Sequence, residues 1–355
     1  MANLYLPSVT HVIPLTTIRR ERHLPVPGTV TVRVGQRVQA ADVVAEAPSG
    51  QRHLFLDLAR GLGVPEGQVS RYLVHRPGDR VEAGEVIAGP VGISRRTVRA
   101  PADGRIVSLS VSRLLLELYG DPHALRAGIP GTVTATDGVR SVTLETTGAL
   151  IQAVWGNGLQ DFGIMRLVGD GPGDRLQTDK LDIDLRGAVL VAGMCDHPTP
   201  LHQATELSVR GVILGSLTSD LIPVAQRLSY PVIVTEGFGR LPFNGMAFNL
   251  LRSNAGREAA LDGRPGGPYD GQRPEVIIPL PASRELSLPD EVIPLARGVR
   301  VRVVRRPYAS VVGVVQAVED QPVEFASGIV ARCAVVDLEG IGSVAIPLAN
   351  LEVLQ

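Results

Sequence analysis

The sequence is almost without lysine. Lys180 is the only one in 355 residues, and arginine supplies the rest of the positive charge. Chemistry that needs a side-chain primary amine therefore has a single place to work from. Aromatic residues are scarce, at 4%, which counts against a stacking platform for single-stranded nucleic acid. The two cysteines, Cys195 and Cys333, lie far apart and form no CxxC pair. No disulfide framework is expected, and a reduced, cytoplasmic compartment fits. Neither sign of charge is in excess: the net charge of −1 gives no global field toward nucleic acid or an anionic membrane. Long apolar runs are missing too. "GAVLVAGM" is far short of the ~20 residues of a membrane helix. "MANLYLPSVTHVIPLTTIRR" has no apolar stretch after a basic start, so neither a signal peptide nor a membrane partner is expected.

What is present is glycine (39), proline (27) and 44% hydrophobic residues, a composition for short strands and many turns in two or three domains. An internal repeat stands out. "VGQRVQAADVVAEA" from Val34 and "PGDRVEAGEVIAGP" from Pro77 align Gly35 with Gly78, Arg37 with Arg80, Val38 with Val81 and Ala45 with Ala88. Each reads as a hairpin with turns at its glycine and alanine steps. "TVRAPADGRIVSLS", "GTVTATDG", "RSVTLETTG" and "ALIQAVWG" add strands, so residues 1–175 are predicted to be a β-rich barrel. Residues 52–75 interrupt it. Their apolar spacing, with Gly63 and Pro65, predicts two short helices and a turn.

Residues 186–262 alternate strand and helix. "GAVLVAG", "GVILGS" and "PVIVTEG" read as buried parallel strands, with helices between and after them. A Gly/Pro-rich linker is expected over 263–275. From 276 to 355, "EVIIPLP", "VRVRVV", "VVGVVQAV", "IVARCAVVDL" and "GSVAIPLANLEVL" predict a small five-stranded barrel. The fold class is thus multidomain and mainly β, with one small parallel α/β sheet.

Four stretches resemble known families. "GDRVEAGEVIA…VRAPADGRIV" resembles the biotinyl/lipoyl domains, which implies a barrel-sandwich hybrid built from two like halves. The resemblance places the modified lysine at Ile93, and no lysine occurs nearby. Covalent carrier function is excluded on that ground, and no cofactor is expected. "LARGLGVPEGQVSRYL" resembles the bihelical unit of DNA-binding domains, with Gln68, Ser70 and Arg71 as its readers. No third helix is evident to complete that unit, which favours a helical hairpin capping the barrel end. "GSLTSDLIPVAQRLSYPVIV" resembles the phosphohistidine segment of phosphoenolpyruvate-utilising enzymes, but Asp220 stands where the histidine belongs. "RGVRVRVVRRPYASVVGVVQAV…IPLANLEVL" resembles the KOW module, an SH3-like barrel of NusG-type factors. Gly298, Val301, Val303, Pro307, Tyr308, Gly313 and Val315 fill its pattern, and the family's partners are RNA, ribosomal protein or polymerase.

Two sets of candidate residues follow. Ligands of parallel sheets bind beyond the carboxyl ends of the strands. Here that crevice would hold Asp196, His197, Ser216, Thr218, Ser219, Asp220, Glu236 and Arg240, with the helix starts at 199–202 and 218–221 able to accept an anion. Cys195, His197 and His202 are residue types that suit zinc, yet their spacing matches no standard site and no metal is expected. The second set is Arg300, Arg302, Arg305, Arg306 and Tyr308. Alternate arginines on one strand face would project together toward phosphates or a protein partner; a solvated strand face is the competing reading. No nucleophile–base pair can be assembled from the spacing. The expected function is a non-enzymatic modular binding or scaffold protein associated with transcription or translation. The alternative is a small-anion binder or enzyme using the crevice.

Overall fold

The computed structural model describes residues 5–47, 52–119, 123–266, 272–283 and 286–355. The protein is mainly β, with 45% strand and 14% helix, in curled sheets. No helix among the described residues is long and apolar enough to cross a membrane.

Two long strands organise the N-terminal half. Val12–His23 and Ser141–Gln152 pair antiparallel from Ser141↔His23 to Ile151↔Val12. "RSVTLETTG" and the start of "ALIQAVWG", which look like separate strands, are this one strand. Its first half alternates, with Val142 and Leu144 buried; its second half, Gly148–Gln152, is buried throughout. The change has a cause. From Gly148 onward the strand also pairs with Glu275–Pro279, and a Cβ at Gly148 would lie 2.2 Å from Ile278 O. Only glycine lets the second neighbour approach so closely.

The repeat is real in three dimensions, but its copies are nested. Gly35 N donates to Val133 O (2.8 Å) and Gly78 N to Ile106 O (2.7 Å). Val133 N donates to Gln36 O and Ile106 N to Asp79 O, both at 2.9 Å. Val38 pairs with Gly131 as Val81 pairs with Gly104. In the first copy, Val43–Ala47 and His123–Arg126 form a hairpin. Its counterpart in the second copy is Val86–Val91 with Arg96–Arg99. The second copy, within 52–118, is therefore inserted in the hairpin of the first.

This corrects the expectation of two halves sharing one barrel. The first copy packs Val32, Val38, Val44, Ile129 and Val133 against the long strands. The second builds its own core from Val81, Ile87, Ile106, Leu114 and Leu116, closed by Leu58, Leu62 and Val69. Those last three belong to the segment that looked like a helix-turn-helix. It begins with a strand, Arg52–Asp57, paired to Arg113–Leu118. A five-residue helix, Leu58–Leu62, follows, capped by Asp57 and ended by Gly63 at φ 70°. The expected recognition helix is a 3-10 helix, Glu66–Tyr72, lying on the hairpin Val86–Arg99. Seven residues of 3-10 helix are too short and too tight for the groove-reading role.

The strands Gln160–Leu167, Ala188–Cys195, Gly211–Leu217 and Val232–Phe238 are mutually parallel. Their runs of valine, leucine and isoleucine are buried on both faces. Helix Pro198–Glu206 crosses from the second strand to the third, and helix Gly245–Ser253 follows the fourth. The sheet does not stop there. Gln160–Leu167 pairs antiparallel with Glu258–Asp262, which pairs with Glu275–Pro279 and so joins the long strands. "EVIIPLP" thus belongs to this sheet, not to the C-terminal one. The linker expected over 263–275 lies partly outside the described residues.

The C-terminal sheet contains Arg300–Val303, Val312–Val318, Cys333–Leu338, Gly342–Pro347 and Leu351–Leu354. Its sixth strand comes from the other end of the chain: Val9–Thr10 pairs parallel with Leu351–Leu354.

Candidate functional site

The carboxyl ends of the parallel strands are assembled around two small residues. Gly193 and Gly215 are neighbours in register. The loop 169–175 and Phe243 lie directly on them. A Cβ at Gly193 would be 2.5 Å from Pro172 O, and one at Gly215 would be 2.8 Å from Phe243 N. Phe243 N donates to Pro172 O at 2.9 Å, so the two covering loops are tied to each other. Much of the crevice expected at this end is therefore filled by the chain itself. Open grooves of about 520 Å³ and 530 Å³ lie elsewhere, one beside Arg37, Thr132 and Glu145, the other beside Gly313 and Asp337.

The expected crevice residues separate into three fates. Ser216 is fully buried; its hydroxyl donates to Leu241 O (2.7 Å) and accepts from Leu241 N (2.9 Å). Glu236 has no exposed side-chain surface; it accepts from Asn244 Nδ2 (2.7 Å), Thr235 Oγ1 (3.2 Å) and Arg302 Nη1 (2.8 Å). Neither is open to a ligand, and both leave the candidate set. His197 is exposed and caps helix Pro198–Glu206, its Nδ1 accepting from Thr199 N at 3.4 Å. Pro198 and Pro200 bring no N–H to that first turn, and the helix after Ser219–Leu221 has four residues. The helix starts thus lack the free amides that an anion needs. Ser219 and Asp220 are exposed, while Thr218 Oγ1 is enclosed and makes no hydrogen bond with a described residue.

Asp196 and Arg240 do come together. Asp196 carries an ion pair to Arg240 Nε (3.4 Å) and another to Arg175 Nε (3.5 Å). Both arginines are more than half exposed, and Asp196 only 15%. Arg175 was not legible as a partner, although it directly follows the glycine-rich "GDGPGD" that places it. Phe238, beside Arg240 in sequence, meets Trp155 edge-on with ring centroids 5.9 Å apart. Arg306 reaches the same loop: its Nη2 is 3.7 Å from a Cβ placed on Gly239.

Burial pushes the Cys195 thiol up to about 11, and it donates to His197 O at 3.2 Å. A thiol so raised stays protonated near neutral pH. Among the described residues, no group of three or more His, Cys, Asp or Glu could hold a metal ion.

The arginine strip is corrected at its centre. Arg300, Arg305 and Arg306 are exposed, and Tyr308 is half-buried against the C-terminal core. Arg302 is buried, with 3% of its side chain exposed. It shares a strand face with Arg300, as alternation requires, but Thr235 and Glu236 at the end of strand Val232–Phe238 lie against Arg302, while Arg300 reaches Met246 Sδ at 3.5 Å. The guanidinium donates to Thr235 O (3.0 Å), pairs with Glu236 and bonds closely to Glu352. Thr10 Oγ1 donates to the other oxygen of Glu352 (3.0 Å) and accepts from Arg273 (2.6 Å). Five distant stretches of chain thus meet in one network. Glu352, Thr10 and Arg273 had no local signal, because Thr10 and Glu352 are 342 positions apart.

No family model matches the chain, and no curated protein matches it.

Proposed function

We propose that the chain is a non-enzymatic modular binding or scaffold protein, associated with transcription or translation through its C-terminal KOW-like module. The observation that carries this reading is how thoroughly the polar groups at the parallel strand ends are used internally. Ser216 and Glu236 are bonded within the protein, and the Cys195 thiol is held protonated. A hydrolytic or transfer site needs a nucleophile beside a base with both open to substrate. The strand order of the C-terminal sheet fits the SH3-like barrel of KOW modules, and Arg305 and Arg306 remain exposed on it. The inserted second repeat fits a biotinyl/lipoyl-like hairpin with Ile93 in place of the carrier lysine. The test is filter binding of a structured RNA at low salt. The Arg305→Ala/Arg306→Ala variant is expected to lose most of the affinity; wild-type binding by that variant sinks the KOW reading.

A second reading is favoured by one observation. Arg175 and Arg240 converge on Asp196 through their Nε atoms, which leaves outward Nη donors for a small anion. Titration calorimetry with inorganic phosphate and pyrophosphate tests it. Heat that disappears in Arg240→Ala supports the site, and no heat with the wild type removes it.

A further inference from the structure

We infer that the hairpin Val86–Arg99 of the inserted unit is a two-stranded ribbon that enters the major groove of B-form duplex DNA. The inference does not rest on the KOW reading and concerns a different part of the chain.

Charge is the first ground. Residues 52–118 hold ten arginines and seven acidic residues, a net +3, while the whole chain is −1. The remainder is thus −4, so the insertion is the cationic part of an otherwise acidic protein. Five of its seven acids are engaged by backbone amides or an arginine, while Glu66 and Glu82 are exposed. Asp57 accepts from Arg60 N, Asp79 from Arg76 N, Glu85 from Glu82 N and Asp103 from Ala83 N, while Glu117 is buried against Arg105. A basic unit built on its own core offers a polyanion a local field that the whole-chain charge conceals.

Shape is the second ground. The root of the hairpin is held by the helix Leu58–Leu62 and the 3-10 helix Glu66–Tyr72. Gly89 faces Arg96 and Thr97 across the ribbon, where a Cβ would sit 2.5 Å from Arg96 O. Beyond that point the ribbon runs to its last pair, Val91↔Arg96, and closes in the turn 92–95, so about two strand residues, roughly 7 Å, and the turn project past Gly89. The B-DNA major groove is about 12 Å wide and 8.5 Å deep and admits such a ribbon, whereas the A-form major groove is too narrow.

Chemistry at the tip is the third ground. Ile93 is 106% exposed, the most exposed large apolar side chain described. Arg95 and Arg96 follow it, both exposed, Arg96 with its guanidinium laid back over Gly63, where a Cβ would be 2.4 Å from its Nη1. Arg95 sits at φ 49°, a left-handed position where glycine carries no penalty. An arginine there carries backbone strain, and strained positions of this kind cluster at binding sites. An apolar tip suits a thymine methyl, and flanking arginines suit guanine edges and phosphates. The tip has no aromatic residue, so single strands gain no stacking from it.

The test uses the full chain and a labelled mixed-sequence DNA duplex of about 20 base pairs, followed by fluorescence anisotropy from about 50 to 200 mM salt. Circular dichroism checks that each variant is folded. Wild type should bind with a salt-dependent constant. Arg95→Ala/Arg96→Ala should weaken it at least about tenfold and flatten the log–log salt slope by about 1.8, the value for two lost phosphate contacts. Ile93→Ser should weaken binding without changing the slope. Arg305→Ala/Arg306→Ala should leave duplex binding unchanged, which separates this inference from the KOW reading. It is overturned by no duplex binding at the lowest salt, by wild-type binding in the tip variants, or by equal affinity for an A-form RNA duplex. Binding to anionic vesicles in place of DNA would overturn it equally.

Discussion

Replacing Arg302 with alanine strands two carboxylates inside the protein. Glu236 has 0% of its side chain exposed and Glu352 6%, and the guanidinium lies 2.8 Å from Glu236. At an effective dielectric near 20, a pair at that distance is worth roughly 6 kcal/mol before desolvation is subtracted. Desolvation of three ions takes back most of it, so the intact network adds little net stability. Truncation is different, because the desolvation has already been incurred and only the attraction is lost. Breaking a buried pair from one side costs about 3–5 kcal/mol. Glu236 keeps Asn244 and Thr235, and Glu352 keeps Thr10 and Arg273. The lower end, about 3 kcal/mol, is expected, on the order of a hundredfold in the folding constant. Urea unfolding followed by the fluorescence of the single tryptophan, Trp155, and by circular dichroism measures it. The loss should persist at about 1 M salt, since buried pairs are weakly screened. Arg302→Met combined with Glu236→Gln and Glu352→Gln should recover most of it, because the only charge left without its carboxylate is the partly exposed Arg273, which keeps Thr10. A loss below about 1 kcal/mol in Arg302→Ala, the range of exposed pairs, would refute the argument.

Gly193→Ala should destabilise by roughly 1–3 kcal/mol, since the new methyl meets the backbone of Pro172 and Asp174 rather than a movable side chain; an unshifted thermal midpoint would place the 169–175 loop elsewhere. Cys195 and Cys333 are buried and their thiols are raised by desolvation, so both should react with a disulfide reagent only on unfolding. A fast native-state reaction contradicts this. Asp137 accepts from the amides of Val139, Arg140 and Ser141, which hold its carboxyl well below the ordinary 3.8. A depressed folded pKa stabilises the protein above 3.8, and that stabilisation is lost as pH falls through the folded value. The stability gap between wild type and Asp137→Ala should therefore be constant near neutral pH and narrow below 3.8. A gap that stays constant to about pH 2 would show that the amide bonds do not favour the charged form.

The sequence by itself determined whatever rests on near neighbours. The Gly–x–Arg–Val repeat predicted matching turns, and those turns form with matching hydrogen bonds at Gly35 and Gly78. The valine-rich runs of 187–193, 211–216 and 231–237 predicted buried parallel strands, and the strands are parallel. That Ile93 stands where the biotinyl/lipoyl resemblance places a lysine is legible without any coordinates. Tertiary structure alone decided which distant pieces meet. It nested one repeat in the other's hairpin, moved Glu275–Pro279 into the first sheet and brought Val9–Thr10 to the last strand. It also turned Arg302 from a surface residue into the centre of a buried network. The reason is physical. Turn chemistry and hydrophobic period act over a few residues and leave a local mark. A charge's partner and a strand's second face are set by elements up to hundreds of residues away, and the Arg302 stretch reads the same whether or not Glu236 lies over it.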